Sequence, residues 1–240
     1  MAANTPQSRP IASTFQIVEA YKMLRTNLLF SLSTCDNKVV VISSAEPSAG
    51  KSTVAANLSI TMAQTGAKVL LIDGDMRRPS QHKTFRVKRQ HGLSMVLSNL
   101  ATFEDCVFRD VAKNLDLLCS GSTPPNPSEL LGSEMMNRLL EQLQTQYDYI
   151  FLDVPPLCVV SDGLIVGSKA AGMMLVCRQR QTQFAELQEA IRAVQDVEEN
   201  LLGIVITDMR RTPHSYKHYN NSRYYKRYNY SYTESNNGME

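Results

Sequence analysis

Val39-Val40-Val41-Ile42-Ser43-Ser44-Ala45-Glu46-Pro47-Ser48-Ala49-Gly50-Lys51-Ser52-Thr53 is the stretch that decides the fold. Its unbroken β-branched run reads as a strand buried on both faces. The loop after it ends in Gly-Lys-Ser and runs into a helical pattern from Val54 to Gln64, closed by Gly66. Strand, phosphate loop, helix is the context a P-loop requires. Successive backbone N–H groups and a helix N-terminus attract phosphate oxygens. Gly50 lets the backbone approach closely, Lys51 reaches the β- and γ-phosphates, and the Ser52 hydroxyl can ligate Mg²⁺. Ala45, Ser48, Ala49, Gly50, Lys51, Ser52 and Thr53 are therefore expected to hold ATP with Mg²⁺. Ala45 stands where this motif usually has its first glycine.

Further apolar runs repeat the pattern outward. Val69 to Ile72, Leu115 to Cys119, Tyr149 to Leu152, Met173 to Cys177 and Leu201 to Ile206 read as strands. Glu134 to Gln146 and Phe184 to Val197 read as helices between them. Strands apolar on both faces and separated by helices predict an α/β fold, a mostly parallel sheet covered by helices on both faces. Phe15 to Leu32 reads as a helix outside that sheet. The expected organisation is an N-terminal arm and helix over 1–37, a P-loop domain over 38–212 and a separate tail over 213–240.

Two strands end in carboxylates. Val69 to Ile72 leads into Asp73-Gly74-Asp75, followed by Arg77 and Arg78; Tyr149 to Leu152 leads into Asp153. Ligands of open parallel sheets bind at the carboxyl ends of the strands. Three aspartates there, beside a P-loop, make a candidate Mg²⁺ shell. Arg77 and Arg78 either neutralise phosphate charge or are solvated.

With 240 residues, 43% of them hydrophobic, the chain can bury a real core. The first 14 residues are polar and offer no signal-peptide pattern, and no apolar run approaches the roughly 20 residues of a membrane span. Cys35, Cys106, Cys119, Cys158 and Cys177 are scattered without a CxxC pair, so reduced, buried thiols are expected rather than disulfides or zinc. The net charge of +2 resides in Pro213–Glu240, which leaves a balanced body and argues against nucleic acid as a partner. That tail holds seven of the ten tyrosines, Tyr216, Tyr219, Tyr224, Tyr225, Tyr228, Tyr230 and Tyr232, interleaved with Lys217, Arg223, Lys226 and Arg227. It has neither helical nor strand period, and it reads as a flexible segment able to offer one tyrosine at a time.

Several blocks resemble the bacterial protein-tyrosine kinases. Ala45 to Thr53 resembles their Walker A motif, Leu70 to Pro79 their Walker A′ motif, and Ile150 to Pro156 their Walker B motif. Ser120-Gly121 with Pro124 to Leu131 is also similar to that family. The resemblance implies a kinase that autophosphorylates its tail tyrosines between subunits and acts in capsular or exopolysaccharide synthesis. It implies Lys51 and Ser52 on phosphate and Mg²⁺, Asp75 and Asp153 at the metal, and Asp73 as base for the tyrosine hydroxyl, although Asp73 and Asp75 could exchange roles. Glu19, Lys22 and Arg25 resemble the family's oligomerisation helix, with Lys22 in place of an arginine, and the family suggests a ring of eight. It further implies a cytoplasmic protein recruited to the membrane by an embedded polysaccharide co-polymerase, the split arrangement of Gram-positive bacteria. Near the adenine, where relatives tend to have Asn, this chain has Thr207 and Asp208.

Three other functions share parts of this pattern. A partition or division-type ATPase usually carries a second lysine early in the P-loop, where this chain has Glu46. A nucleotide-binding adaptor needs a degenerate site, and an iron–sulfur ATPase needs paired cysteines.

Overall fold

β-branched and apolar runs become the seven strands of one sheet: β1 Val39–Ser44, β2 Val69–Asp73, β3 Val107–Ala112, β4 Leu115–Leu118, β5 Tyr149–Asp153, β6 Gly172–Arg178 and β7 Leu201–Thr207. Nine helices accompany them among the described residues: α1 Thr14–Ser31, α2 Lys51–Ala63, α3 Gln81–Thr84, α4 Leu93–Leu97, α5 Phe103–Cys106, α6 Pro127–Gly132, α7 Glu134–Gln144, α8 Asp162–Gly167 and α9 Phe184–Asp196. These come from a computed structural model that describes residues 14–209. The seven tail tyrosines lie outside the described residues.

The strand order is β3-β4-β2-β5-β1-β6-β7, and every pairing is parallel except β3 with β4. β1 lies between β5 and β6, and its side chains alternate between two cores. Val40 and Ile42 join the core under α1 and α2, while Val39 and Val41 join the core under α4 to α9. All four are fully buried, as expected of a strand covered on both faces.

The structure adds to the sequence reading and departs from it: the short helices α3, α4, α5, α6 and α8 were not expected. β3 was missed: its residues are half-buried or exposed, they include Arg109 and Asp110, and the strand pairs antiparallel at the sheet edge with an irregular register. α2 begins at Lys51 rather than Val54, because Gly50 in the left-handed region (φ 96°) turns the chain directly into the helix. α1 lies outside the sheet but is not free of the core: its Leu28, and Leu32 just past its end, are buried on the α2 side of the sheet. It therefore belongs to the same compact body as the sheet, which is described up to Thr207. Of the five cysteines, all free, Cys106, Cys119 and Cys177 are buried, but Cys158 is exposed and Cys35 half-buried.

Candidate active site

The P-loop, the β2–α3 segment and the start of the β5–α8 segment meet at one edge of the sheet. β2 and β5 are neighbours, with Asp73 opposite Asp153 in register, and β1 feeds the P-loop from the other side of β5. All three expected aspartates are buried there, Asp73 and Asp153 completely.

Gly50 carries no side chain to cap α2, which leaves the first N–H groups of the helix available to an anion. Thr207, at the end of β7, braces this loop: its hydroxyl donates to the Ala49 carbonyl at 2.7 Å, and its methyl would lie 3.4 Å from a Cβ at Gly50. Glu46 accepts from the Thr182 hydroxyl at 2.8 Å, so its carboxylate is held at the loop's start.

Lys51 has partners the sequence did not reveal. Its ammonium is buried and donates to Asp75 Oδ2 and Asp153 Oδ1, both at 3.0 Å. Burial alone would lower its pKa; the charges of Asp153 and Asp75 outweigh that and hold it above the ordinary value. The ammonium thus occupies the space between two carboxylates assigned to a metal. Among the described residues no group of three His, Cys, Asp or Glu side chains could hold a metal ion. Mg²⁺ does not require one, since it keeps waters and substrate oxygens and takes one or two protein carboxylates. Ser52, Asp75 and Asp153 match that donor set.

Asp73 differs from the other two. Its Oδ2 accepts the backbone N–H groups of Ser80 and Gln81, each at 3.0 Å, while its Oδ1 has no partner. Burial first, and the charge of Asp153 second, push its pKa up to about 7 against those hydrogen bonds and Lys51. A carboxylate with an open oxygen and a pKa near neutrality has the properties of a general base.

Sequence reasoning missed Gln81, Asp162 and Ser128. Gln81 is buried; its amide donates to Asp153 Oδ2 at 2.8 Å and to the Ser52 carbonyl at 3.0 Å, tying the Walker B carboxylate to the P-loop. Arg77 is held by partners rather than simply solvated. Its guanidinium grips the buried Asp162 through two bonds, at 2.9 and 3.1 Å, and reaches the Ser128 hydroxyl at 3.0 Å. The Arg78 side chain is exposed, while its N–H donates to Asp75 Oδ1 at 2.8 Å. The signal for Asp162 was available as an acidic residue in the first turn of a helix, but nothing local named its partner.

On α1, Lys22 pairs with Glu19 at 2.8 Å, and Arg25 donates to the Thr61 carbonyl of α2 at 2.8 Å. Two of the three charges assigned to an oligomer interface thus pair with each other, and the third ties α1 to α2.

The AAA domain family matches residues 37–204. Tyrosine-protein kinase YwqD of Bacillus subtilis (strain 168) is 39% identical over 82% of this chain and 83% of that protein. The crystal structure of the chimerical protein CapA2B2 superposes with a TM-score of 0.78 at 34% identity, covering 86% of this chain and 88% of the other. The kinase domain of Escherichia coli tyrosine kinase ETK gives 0.76 at 34% identity, over 81% of this chain and 78% of that one. Against tyrosine-protein kinase etk of Escherichia coli (strain K12) the identity is 34%, and this chain spans only 26% of that protein. Motifs, sheet order and relatives agree: the chain belongs to the bacterial protein-tyrosine kinase family.

Proposed function

We propose that this chain transfers the γ-phosphoryl group of ATP to tyrosine, first on its own C-terminal cluster between subunits. The observation that carries this reading is the pairing of an unpartnered Asp73 oxygen with the Lys51–Asp75–Asp153 cluster beside the P-loop. The geometry supports the following roles. Gly50 and the first turn of α2 cradle phosphates. Lys51 exchanges its carboxylates for phosphoryl oxygens and supplies positive charge where negative charge accumulates. Ser52, Asp75 and Asp153 would hold Mg²⁺, which when bound neutralises charge on the phosphates. Asp73 takes the tyrosine proton on Oδ1 while Ser80 and Gln81 fix its other oxygen.

The body offers few alternative acceptors. The Tyr147 hydroxyl donates to Asp116 and accepts from Arg109, both at 2.6 Å, and its ring is buried, so it is not free for transfer. Burial raises the pKa of Tyr21. The seven tail tyrosines are the remaining dense supply.

Membership of the family supports a place in capsular or exopolysaccharide synthesis, as the resemblance implies, and the CapA2B2 chimera supports a partner protein. We assign that partner to the membrane and this chain to the cytoplasmic side, with a ring of copies built through the Glu19, Lys22 and Arg25 face of α1. Among the described residues no helix is long and apolar enough to cross a membrane. The test is incubation with γ-labelled ATP and Mg²⁺, followed by phosphoamino-acid analysis. Phosphotyrosine mapped to Tyr216–Tyr232 supports the reading; ATP hydrolysis without phosphotyrosine makes the protein a switch ATPase instead.

A further inference from the structure

From Met76 to Phe103 the chain contains no Asp or Glu, yet residues 78–91 hold Arg78, Lys83, Arg86, Lys88 and Arg89 with His82 and His91. Among the described residues none of the five cations forms an ion pair. Arg78, Lys83, Arg86 and Lys88 are exposed and Arg89 half-buried. The cations act on one another: besides burial, Arg89 and Lys83 hold the His82 pKa below its ordinary value. Hydrogen bonds with Thr102 first, and the charge of His91 last, hold the nearby Asp105 below its ordinary value.

The fold puts this segment beside the site. It begins immediately after Ser80 and Gln81, whose N–H groups hold Asp73 at the end of β2. It ends where Leu93 and Ser94 donate to the Cys119 and Ser120 carbonyls, at 2.8 and 2.9 Å, just beyond β4. Gly92 allows this approach, since a Cβ there would lie 2.1 Å from the Cys119 carbonyl oxygen. The basic segment therefore borders the carboxyl edge of β2 and β4, beside the base that an acceptor hydroxyl must reach.

We propose that residues 82–91 dock an acidic peptide segment and so select protein substrates whose tyrosine lies among Asp and Glu. This rests on the kinase reading of the adjacent site. Unpaired exposed cations beside a reaction centre attract an acidic strand and raise its local concentration. The chain's own unmodified tail, with four basic and two acidic residues, carries the opposite charge. Docking on this surface thus distinguishes external substrates from the tail. Single-stranded nucleic acid is the other polyanion to weigh, but such sites interleave exposed aromatics for stacking. Phe85, the one aromatic of this segment, is half-buried.

The experiment compares the full chain with Lys83→Glu/Arg86→Glu/Lys88→Glu and with the milder Lys83→Gln/Arg86→Gln/Lys88→Gln. Fluorescence anisotropy with a tyrosine peptide flanked by glutamates measures docking without catalysis. We expect roughly tenfold weaker binding for the reversed variant, less for the neutral one, and a gap that closes in high salt. In kinase assays KM for the acidic peptide rises while kcat holds, and neither changes for a serine-flanked peptide or for tail self-phosphorylation. Equal binding of the acidic and serine-flanked peptides to the unaltered chain would overturn the proposal. So would an oligonucleotide that binds more tightly than the peptide and loses more on charge reversal. Absence of phosphotyrosine in the unaltered chain, with peptide binding intact, would instead sink the kinase reading alone.

Discussion

Replacing Lys51 with Met tests the resting charge balance of the site, not just its chemistry. The ammonium lies 3.0 Å from each of two carboxylates, and the three side chains are 11%, 5% and 0% exposed for Lys51, Asp75 and Asp153. Met fills about the same space, so the variant leaves no cavity, but it strands two buried anions. Removing one partner of a buried pair costs about 3–5 kcal/mol. Asp75 keeps the Arg78 N–H and Asp153 keeps the Gln81 amide, which puts the expected loss near the lower end. About 3 kcal/mol in a domain of this size lowers Tm by roughly 6–12 °C. The measurement is a thermal melt without nucleotide at mildly alkaline pH, together with Asp75→Asn and the double variant. Asp75→Asn should destabilise the wild type yet restore about 1–2 kcal/mol in the Lys51→Met background, a coupling that distant sites do not show. A Lys51→Met protein melting within about 2 °C of wild type, or strictly additive variants, would refute the claim that Lys51 neutralises this cluster.

Asp73→Asn should lower the rate of phosphotransfer by about 10²–10⁴-fold and change nucleotide affinity little, because a base acts on the chemical step; loss of nucleotide binding with turnover retained at saturation would remove Asp73 from that role. A base must be deprotonated to act, and Asp73 is raised to about 7, so the rate should fall as pH drops through about 7 and this limb should vanish in Asp73→Asn. Glu199 has both carboxylate oxygens buried without partners and its pKa is raised to about 7 by burial. Its neutral form favours the fold: that contribution is full below the ordinary glutamate pKa and disappears as pH rises through about 7. Glu199→Gln should therefore raise Tm in alkaline buffer and leave it unchanged near pH 4, and an equal shift at both would refute this. Arg77→Ala should destabilise by about 2–3 kcal/mol, read by urea unfolding, by stranding buried Asp162, with Arg77→Lys recovering only part because it cannot grip both oxygens. Mixing an active chain cut after Thr212 with full-length Asp73→Asn should place phosphotyrosine on the inactive partner's tail; label confined to Tyr21, Tyr147 or Tyr149 would exclude the tail as acceptor.

Local chemistry explains why most of this architecture was legible from residues alone. Val39 to Ile42 can only be a strand covered on both sides, and Gly50-Lys51-Ser52 after it can only open a helix toward an anion. The aspartates at the ends of β2 and β5 were readable for the same reason: parallel strands leave their carboxyl ends, and whatever polar groups sit there, at one edge. The failures share a different cause. β3 carries no periodic apolar face, because an antiparallel edge strand half in water needs none, and its existence depends on β4 rather than on its own residues. Gln81 and Asp162 are ordinary polar residues until the sheet brings Asp153 and Arg77 to them across 72 and 85 positions of sequence. The same distance hid the resting partners of Lys51, 24 and 102 positions away. A motif fixes which group can serve a phosphate, but the cost of burying that group decides where it waits. Asp75 and Asp153 are held in so dry a site with a cation between them, and that cation is Lys51 at the start of α2.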